Sequence, residues 1–455
     1  MFGKVLIANR GEIALRVART CREMGIKTVA VYSTADRDSA VVRVADQAIH
    51  IGPAAAKHSY LNAPAVIEAA LQAGAEAIHP GYGFLSEDAD FAEICRRNGL
   101  VFIGPPPEVL HRMADKASAR TMMQEAGLPV LPGGRISRPT AQDVRALAEE
   151  VGYPLIIKAS AGGGGRGMAV VRHPGELLAA YRSTRATAMA IFGDGGLYIE
   201  RYLEGARHIE VQVLCDDHGN TVALGDRDCS VQRRHQKLLE EAPAGGLPDG
   251  MAQEMADSAV RGARATGFRG AGTFEFLVDA DRRFTFMEIN CRIQVEHPVT
   301  EAITGLDIVR EQLRVAAGLP LDLDALSLPR RGVALEARLN AEDPDRGFAP
   351  TAGLLTEFVP AGGPFTRVDS HAYPGYRVAP DYDSLLAKVV VWAPDREQAI
   401  ARLDRALEEF RVDGAGVRTT GDFLRQVLRD PRFQAARHTT ALVAEILAER
   451  AETAT

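Results

Sequence analysis

The sequence is poor in lysine and cysteine and has no long apolar run. None of the apolar stretches in its 455 residues approaches the roughly 20 residues that a membrane-spanning helix requires. The five cysteines form no CxxC pair, which argues against a disulfide framework or a zinc site. A net charge of −7 without a basic block argues against nucleic-acid binding. The first apolar stretch, Val5–Ala8, is too short for a signal-peptide core, so we expect a cytoplasmic protein with no membrane partner.

Lysine is rare, and arginine supplies most of the positive charge of the chain. Of the 53 lysines and arginines, only seven are lysines. A lysine that remains in such a chain indicates a position that needs a compact ammonium rather than a planar guanidinium. Lys116, Lys158 and Lys237 lie in segments that indicate a nucleotide site for independent reasons.

The chain is long enough for two to four domains. Its first hundred residues alternate between strand and helix patterns, with strands predicted at Val5–Ala8 and Thr28–Tyr32 and helices at Ile13–Met24 and Ala63–Ala73. This alternation predicts an α/β fold that begins with a doubly wound parallel sheet. No GxGxxG follows the first strand, so a dinucleotide site is not supported.

A glycine-rich turn joins two predicted strands, Leu155–Ala159 and Met168–Val171. Five of the six residues at 162–167 are glycines, which let the backbone approach a ligand and direct N–H groups at phosphate oxygens. A P-loop would lead into a helix and end in Gly-Lys-Ser/Thr, and neither feature occurs here. The pattern therefore predicts a mobile flap over phosphates, and the alternative is an ordinary flexible hairpin tip.

Polar and apolar residues alternate strictly from Glu288 to Glu296. In an extended chain this pattern places all the polar side chains on one face. The alternative is an ordinary solvent-facing strand, but Asn and Glu are poor strand formers. The polar residues suit distinct roles: oxygen ligands for a hard cation at Glu288 and Asn290, an oxyanion fork at Arg292, an orienting amide at Gln294, and a proton acceptor at Glu296.

A second carboxylate, Glu275, lies on the preceding strand, which a predicted hairpin joins to Phe284–Ile289. Two carboxylates on adjacent strands, together with an amide, suit a Mg²⁺ ion that bridges nucleotide phosphates. Glu275, Glu288 and Asn290 are therefore the candidate metal ligands.

These motifs together resemble biotin carboxylases of the ATP-grasp superfamily over essentially the whole chain. The resemblance rests on five segments in order, namely residues 8–14 (ANRGEIA), 79–87 (HPGYGFLSE), 158–167 (KASAGGGGRG), 227–237 (RDCSVQRRHQK) and 288–298 (EINCRIQVEHP). It implies an N-terminal biotin carboxylase domain at residues 1–114, an ATP-grasp domain at 115–330 with a flap subdomain at about 130–203, and a C-terminal biotin carboxylase domain at 331–447.

The resemblance implies an enzyme that uses ATP, bicarbonate and Mg²⁺, or Mn²⁺, to carboxylate biotin through carboxyphosphate. In such an enzyme the nucleotide is held by Lys116, Lys158, Gly164, Gly165, Glu200, Arg201, Tyr202, Leu203, His208, Gln232 and His235, with the metal ligands Glu275 and Glu288. Bicarbonate is held by Lys237, Arg292, Gln294 and the backbone N–H of Val295. Glu296 deprotonates bicarbonate, Arg338 stabilises the biotin enolate, and Tyr82 and Gly83 meet the biotin ring.

Bland alternatives remain for some of these residues. His208 and His235 are alternatively satisfied core histidines, and Arg338 alternatively pairs with a neighbouring acid as a structural salt bridge. The segment Asp381–Leu385 with Lys388 matches the family and is interpreted as scaffold. Arg201 stands where many members have lysine, so adenine recognition would differ in detail.

No Met-Lys-Met or similar biotin-attachment segment occurs in the sequence. The resemblance thus implies that biotin arrives on a separate carrier protein, with a separate carboxyltransferase subunit completing an acyl-CoA carboxylase. It also implies a homodimer, with Arg19 and Glu23 on a helix used for that contact. The alternative functions are another ATP-grasp enzyme that joins a carboxylate to an amine, and a nucleotide-binding subunit without activity.

Overall fold

The computed structural model describes residues 1–136, 140–160, 167–326 and 329–453. The N-terminal region is a five-stranded parallel sheet with strand order β3-β2-β1-β4-β5. Its elements in chain order are β1 (Lys4–Ile7), α1 (Gly11–Glu23), β2 (Lys27–Ser33), α2 (Ala40–Val44), β3 (Gln47–Gly52), α3 (Ala63–Ala73), β4 (Ala77–His79), α4 (Ala89–Arg97), β5 (Val101–Phe102) and α5 (Pro107–Ala114).

Alternating side chains of this sheet pack on opposite layers of helices. Val5 and Ile7 lie in one apolar cluster with residues of α1, whereas Leu6 lies in a second cluster with residues of α3 and α4. Strands buried on both faces give the continuous apolar run seen in the sequence. The predicted doubly wound parallel sheet is therefore confirmed, and α3 ends at Gly74 in the left-handed conformation that glycine favours.

Helix α6 (Lys116–Glu125) follows and packs on the large sheet described below. After it comes a smaller unit with a four-stranded antiparallel sheet of order β6-β9-β7-β8. Its elements are β6 (Gly133–Arg135), α7 (Ala141–Val151), β7 (Leu155–Ala159), β8 (Met168–Val171), α8 (Leu177–Phe192) and β9 (Leu197–Arg201). Both predicted strands flanking the glycine-rich turn are present with the predicted bounds. Most of the turn itself, including Gly164 and Gly165, lies outside the described residues.

The rest of the chain is built on an eight-stranded antiparallel sheet of order β14-β13-β10-β11-β12-β15-β21-β19. Its first half contains β10 (Arg207–Cys215), β11 (Thr221–Arg233), β12 (Gln236–Ala242), α9 (Met251–Thr266), β13 (Gly270–Val278), β14 (Phe284–Asn290), α10 (His297–Thr304), α11 (Ile308–Ala316) and α12 (Leu323–Leu326).

The second half begins with β15 (Val333–Asn340), which pairs with β12. It continues with β16 (Glu342–Asp343), β17 (Ala349–Pro350), β18 (Gly353–Val359), β19 (Thr366–Ser370), β20 (Arg377–Val378), β21 (Leu385–Ala393), α13 (Arg396–Glu409), β22 (Arg411–Gly414), α14 (Gly421–Arg429), α15 (Pro431–Gln434) and α16 (Leu442–Thr453). One sheet thus crosses residue 330, where a domain boundary is predicted, and the domain limits stay a prediction.

The large sheet has one apolar face and one polar face. On the apolar face, Val211 of β10 and Phe274 of β13 pack against Met123 of α6 and Met255 of α9. Farther along, residues of β12, β15 and β21 on the same apolar side pack against α13, α14 and α16. Because side chains alternate along a strand, the residues between these apolar positions point to the opposite face, where the candidate site lies.

The predicted extended chain from Glu288 to Glu296 is correct only as far as Asn290. β14 ends there, and residues 291–296 form an irregular turn that leads into α10. The backbone N–H of Cys291 donates to Glu87 Oε1 (2.8 Å) instead of to a neighbouring strand. α10 then begins at His297 with a proline in its first turn, a position that proline favours.

Candidate active site

A row of charged side chains crosses four strands on the polar face of the large sheet. The register places Arg227 of β11 opposite Glu210 of β10, Glu210 opposite Glu275 of β13, and Glu275 opposite Glu288 of β14. Glu210 and Glu275 are almost completely buried. Buried carboxylates this close together are stable only with compensating positive charge, so the surrounding cations define the site.

Lys237 on β12 supplies much of that charge. Its Nζ atom lies 2.6 Å from Glu210 Oε2, 3.1 Å from Glu275 Oε1 and 2.6 Å from Glu296 Oε1. Burial alone would lower the pKa of Lys237, but the surrounding negative groups raise it well above its usual value. The ammonium is therefore charged at every physiological pH and joins the carboxylate row to the predicted base.

Glu296 is fully buried between two cations. Lys237 lies against one carboxylate oxygen, and Arg338 Nη2 lies 2.9 Å from the other. Burial alone would raise the pKa of Glu296, but the charges of Lys237, Arg338 and Arg227 hold it well below its usual range. Glu296 is thus ionised, which is the state in which a carboxylate can accept a proton.

Arg338 on β15 bridges Glu296 and a second buried carboxylate, Glu240 of β12. Its Nε atom donates to Glu240 Oε1 at 2.7 Å. The alternative that Arg338 pairs with a neighbouring acid of its own segment is wrong, because both of its carboxylate partners come from elsewhere in the chain. Burial raises the pKa of Glu240 to about 7 despite the opposing charge of Arg338.

The turn after β14 gathers nitrogen donors beside this pair. Arg292 Nε lies 3.0 Å from Glu87 Oε2, and its Nη1 donates to Gln294 Oε1 at 3.0 Å. Gln294 Nε2 in turn donates to Glu275 Oε1 at 3.1 Å. A guanidinium, an amide and the nearby Lys237 ammonium form a donor set that suits a small planar oxyanion.

The three predicted metal ligands lie together on β13 and β14. Asn290 Nδ2 donates to Glu275 Oε1 at 2.6 Å, and Lys116 Nζ donates to Glu288 Oε2 at 3.0 Å. The charge of Lys116 lowers the pKa of Glu288 in spite of its burial. Hard carboxylate oxygens on adjacent strands, balanced here by cationic side chains, fit a divalent cation such as Mg²⁺.

His208 and Gln232 border the same carboxylates. His208 Nε2 lies 2.9 Å from Glu275 Oε2, and Gln232 Nε2 lies 3.4 Å from the other ring nitrogen of His208. Burial would lower the pKa of His208, but the Glu275 charge produces a net rise. His235, by contrast, is in the left-handed conformation at the tip between β11 and β12, and burial and nearby Lys158 lower its pKa.

The flap unit brings a second group of predicted nucleotide residues to the edge of the site. Lys158 of β7 forms an ion pair with Glu200 of β9, and its charge also reaches Glu288. The Arg201 guanidinium points away, toward the Val151 carbonyl oxygen (3.4 Å). The N–H of Tyr202 donates to Pro154 O (3.0 Å), and Leu203 follows on the way to β10.

Tyr82 lies on the N-terminal side of the site. Its hydroxyl donates to Glu12 Oε1, and its carbonyl oxygen accepts from Asn9 Nδ2 at 2.7 Å. Gly83 follows with a φ of +67°, a conformation that a side chain would strain. Burial and the adjacent Glu12 raise the pKa of the Tyr82 hydroxyl well above its usual value, and the charge of Arg338 opposes this rise.

Three family profiles match consecutive parts of the chain. The profile described as "Biotin carboxylase, N-terminal domain" matches residues 1–110, that for "Carbamoyl-phosphate synthase L chain, ATP binding domain" matches 115–324, and "Biotin carboxylase C-terminal domain" matches 336–445. The biotin carboxylase of Nostoc sp. is 50% identical over 445 residues, covering 98% of this chain and 99% of that protein. The chain belongs to the biotin carboxylase family.

Other relatives agree with this assignment. The biotin carboxylase of Pseudomonas aeruginosa is 52% identical over 95% of this chain and 96% of its own length. The complex of Campylobacter jejuni biotin carboxylase with β,γ-ATP has a TM-score of 0.94 and 46% identity, covering 98% of this chain and 99% of that one. The prediction of an ATP-dependent biotin carboxylase is confirmed.

A further solved structure contains several ligands at once. The biotin carboxylase domain dimer of Hydrogenobacter thermophilus 2-oxoglutarate carboxylase, in complex with MgADP, ADP and bicarbonate, has a TM-score of 0.94 and 44% identity over 98% of both chains. Among the described residues of this chain, no helix is both long and apolar enough to cross a membrane.

Sequence reasoning missed several residues of this biotin carboxylase site. Glu210 carried a usable signal, because polar residues alternate with Ile209 and Val211 along β10 as they do in residues 288–296. Glu87 and Arg227 stand inside segments that carried the resemblance but received no role. Glu240 gave no signal, since it is followed by a second glutamate and the sequence does not distinguish which of the two faces Arg338.

Proposed function

We propose that this chain carboxylates biotin carried on a separate carrier protein, using ATP and bicarbonate and releasing ADP and phosphate. The observation that carries the proposal is the position of Glu296 between Lys237 and Arg338, next to the donors of Arg292 and Gln294. Glu296 thus lies beside the donors that suit bicarbonate and beside Arg338, a cation that suits a second oxyanion. The carboxylate row of Glu275 and Glu288 borders the same group.

In the first step, bicarbonate is held by Lys237, Arg292, Gln294 and the Val295 N–H, and Glu296 accepts its proton. A bicarbonate oxygen then attacks the γ-phosphorus of ATP, the bond from that phosphorus to the ADP oxygen breaks, and carboxyphosphate and ADP result. Glu296 is a weak base while two cations share its charge. An anion bound at Lys237 competes with Glu296 for the positive charge of the ammonium. The pKa of Glu296, and with it the basicity of Glu296, therefore rises when substrate is present.

The nucleotide is held by the residues of the flap unit and the carboxylate row. The phosphates are contacted by Lys116, Lys158, Gly164 and Gly165. The adenine base is contacted by the segment from Glu200 to Leu203, and the ribose is contacted by His208, Gln232 and His235. Mg²⁺ or Mn²⁺ would be held by Glu275, Glu288 and Asn290, and it would neutralise negative charge on the phosphates.

In the second step, carboxyphosphate breaks its C–O bond to give CO2 and phosphate. The biotin ureido nitrogen forms an N–C bond to CO2 while its proton passes to the phosphate, the strongest base released at that point. Arg338 stabilises the enolate oxygen of biotin, a role typically worth about 10²–10³ in rate per donor. Tyr82 and Gly83 meet the biotin ring.

The partners follow from the same proposal. Biotin arrives on a biotin carboxyl carrier protein or subunit, and a carboxyltransferase subunit completes the reaction of an acyl-CoA carboxylase. We also propose a homodimer, supported by the Hydrogenobacter domain dimer and by the exposure of Arg19 and Glu23 on α1. A location in the cytoplasm stays a prediction, for which cell fractionation is the test.

The test measures ADP release from the full chain with MgATP and free biotin, with and without bicarbonate. The parent protein is compared with Glu296→Ala and with a matched control, Glu311→Ala, which removes a buried glutamate of α11 that contacts Arg314. We expect turnover that requires both bicarbonate and biotin, falls by about 10²–10⁴ in Glu296→Ala, and is retained in the control.

Two results would overturn the proposal. Turnover that is indifferent to bicarbonate would indicate an ATP-grasp enzyme that joins a carboxylate to an amine. Retention of bicarbonate- and biotin-dependent turnover in Glu296→Ala would remove Glu296 from its role as the base.

A further inference from the structure

Lys388 is a fully buried lysine that lies where three parts of the chain meet. It belongs to β21, and its Nζ atom donates to the Val295 carbonyl oxygen at 2.8 Å. The same atom lies 3.1 Å from Glu12 Oε1 at the start of α1 and 4.0 Å from Asp369 Oδ2 of β19. Its ammonium therefore contacts the turn after β14, the N-terminal region and the second half of the large sheet.

Glu12 carries this contact onward to Tyr82. The Tyr82 hydroxyl donates to Glu12 Oε1, the same oxygen that faces Lys388. The backbone at Tyr82 is held separately by Asn9, which donates to its carbonyl oxygen. A continuous polar chain thus runs from Tyr82 through Glu12 and Lys388 to the peptide of Val295.

The ends of this chain fall in two different subsites of the proposed reaction. Tyr82 is proposed to meet the biotin ring, and the Val295 N–H is proposed to bind bicarbonate. Lys388 holds the carbonyl of the residue that supplies this N–H, so it limits rotation of the backbone at the anion site. The two substrates are thereby held by one buried network, although neither touches Lys388.

Stability alone does not account for a lysine at this position. A buried ion pair is typically no more stabilising than well-packed apolar side chains of the same volume. The chain also uses arginine for most of its positive charge. A small ammonium can direct its protons to separate acceptors on three elements, whereas a planar guanidinium imposes one fork. The nearby carboxyls of Glu12 and Asp369 raise the pKa of Lys388 despite its burial.

We propose that Lys388 is a positioning residue that fixes the biotin subsite and the bicarbonate subsite relative to each other through Glu12, an inference that rests on the function proposed above. It is not a catalytic residue, since it acts on the substrates only through Tyr82 and Val295. Its contribution is expected in the binding of those two substrates and not in the binding of ATP.

The test uses Glu12→Gln combined with Lys388→Met, which removes both charges and leaves neither buried alone. The matched control is Lys4→Met, because Lys4 also donates to a backbone carbonyl, that of Ala73 (2.7 Å), away from the site. KM values for bicarbonate, free biotin and ATP are measured in the full chain, and urea denaturation checks folding.

We expect the KM values for bicarbonate and for biotin to rise together, each on the order of 10-fold, while the KM for ATP changes less than about 2-fold. Tyr82→Phe should raise only the KM for biotin, and in the Lys388→Met, Glu12→Gln background it should have little further effect. The Lys4→Met control should match the parent protein.

Unchanged KM values for bicarbonate and biotin in a folded double variant would overturn the positioning role. An equal rise in all three KM values would also overturn it, because it would indicate general disruption. These outcomes differ from failure of the proposed function, which would appear as an absence of bicarbonate- and biotin-dependent turnover in the parent protein.

Discussion

At the residue scale, the site is a balance of buried charges rather than a set of isolated catalytic groups. Lys237 contacts three carboxylates, and Arg338 contacts two. Low pKa values for Glu275 and Glu296 result from these cations and not from exposure to solvent. We therefore expect the pKa of such a carboxylate to rise when a bound anion interacts with the cation that stabilises it.

Glu336 of β15 differs because no cation of the described residues hydrogen-bonds its carboxylate. It is fully buried opposite Glu240, and both of its carboxylate oxygens are without a hydrogen-bond partner. Burial raises its pKa well above the usual value, although the charge of Lys388 opposes the rise. Glu336 therefore keeps its proton to a higher pH than a carboxyl in water does.

Replacing Glu336 by glutamine should therefore change how stability depends on pH. In the unfolded chain the carboxyl ionises near its ordinary pKa of 4.5, whereas in the folded protein it keeps its proton to a higher pH. Above pH 4.5 the folded state then holds up to one proton more than the unfolded state. The free energy of unfolding therefore falls by up to about 1.4 kcal/mol for each pH unit above 4.5. Glu336→Gln cannot ionise, so its stability relative to the parent should increase as the pH rises from 5.

Urea denaturation at each pH measures this difference. Glu240, Lys388, Arg338 and Glu296 face the same carboxyl, but they titrate in the variant as well as in the parent. Glu357→Gln on the exposed surface of β18 is the control and should give a flat difference. A flat difference for Glu336→Gln as well would show that Glu336 is ionised in the fold.

At the element scale, Arg227 joins four elements on the polar face of the large sheet. Its guanidinium donates to Glu210 of β10 (2.5 Å), to Gln212 of the same strand (2.9 Å), to Thr273 of β13 (3.2 Å) and to Thr300 of α10 (2.9 Å). It is fully buried. Helix α10, which follows the turn after β14, is thus hydrogen-bonded through Arg227 to strands β10 and β13, which carry Glu210 and Glu275.

Arg227→Met should destabilise the protein by about 3–5 kcal/mol, because it leaves Glu210 buried beside fewer cations. Adding Glu210→Gln removes that charge and should recover part of the loss. The measurement is the free energy of unfolding in urea for the parent and both variants. If the double variant is no more stable than Arg227→Met alone, lost packing rather than an unpaired charge is the cause.

Local patterns predicted the elements well where one periodicity held along the segment. The helix at Ala63–Ala73 and the strands beside the glycine-rich turn were predicted with their observed bounds, because Asn62 and Gly74 flank the helix and the glycine run separates the two strands. β3 (Gln47–Gly52) was missed, since its exposed positions give it no continuous apolar run. The stretch after Asn290 was predicted as strand because its alternation persists in a turn whose shape depends on Glu87, 204 residues away.

The candidate site was predictable to the extent that its residues lie in dense motifs. The side chains of Lys237, Glu275, Arg292, Gln294, Glu296 and Arg338 were all named from the sequence, and they form one connected network. The roles assigned to them stay predictions until they are tested. Glu240 and Glu12 were not predicted, because their contacts depend on strand register and on the meeting of distant segments.

At the scale of the whole molecule, the N-terminal sheet is joined to the last third of the chain by a buried polar cluster. Arg10 pairs with Asp36 (2.7 Å), and its guanidinium lies 4.0 Å from the centre of the Tyr382 ring. Tyr382 also meets Ser33 Oγ at 2.6 Å and donates to Ala54 O at 2.5 Å. The segment interpreted as scaffold from the sequence thus contacts the N-terminal region directly.

Removing Arg10 should uncouple these two parts of the molecule. Arg10→Met leaves Asp36 buried without its cation, which should cost about 3–5 kcal/mol, and it removes the contact with Tyr382. The N-terminal region should then unfold at a lower urea concentration than the large sheet. The single tryptophan, Trp392, lies on β21 and reports on that sheet alone, while far-UV circular dichroism reports on both parts.

The two signals should coincide in the parent protein, and in Arg10→Met an early dichroism phase should appear that tryptophan fluorescence does not follow. Arg96→Met provides the control, because Arg96 forms only exposed ion pairs with Glu93 and Glu108, which typically contribute little. Coincident transitions in Arg10→Met would mean that other contacts, such as the Lys388 and Glu12 pair, hold the two parts together unaided. In that case, adding Glu12→Gln and Lys388→Met to Arg10→Met should separate the dichroism transition from the tryptophan fluorescence transition. This result would make the contact between Lys388 and Glu12 the main connection between the two parts.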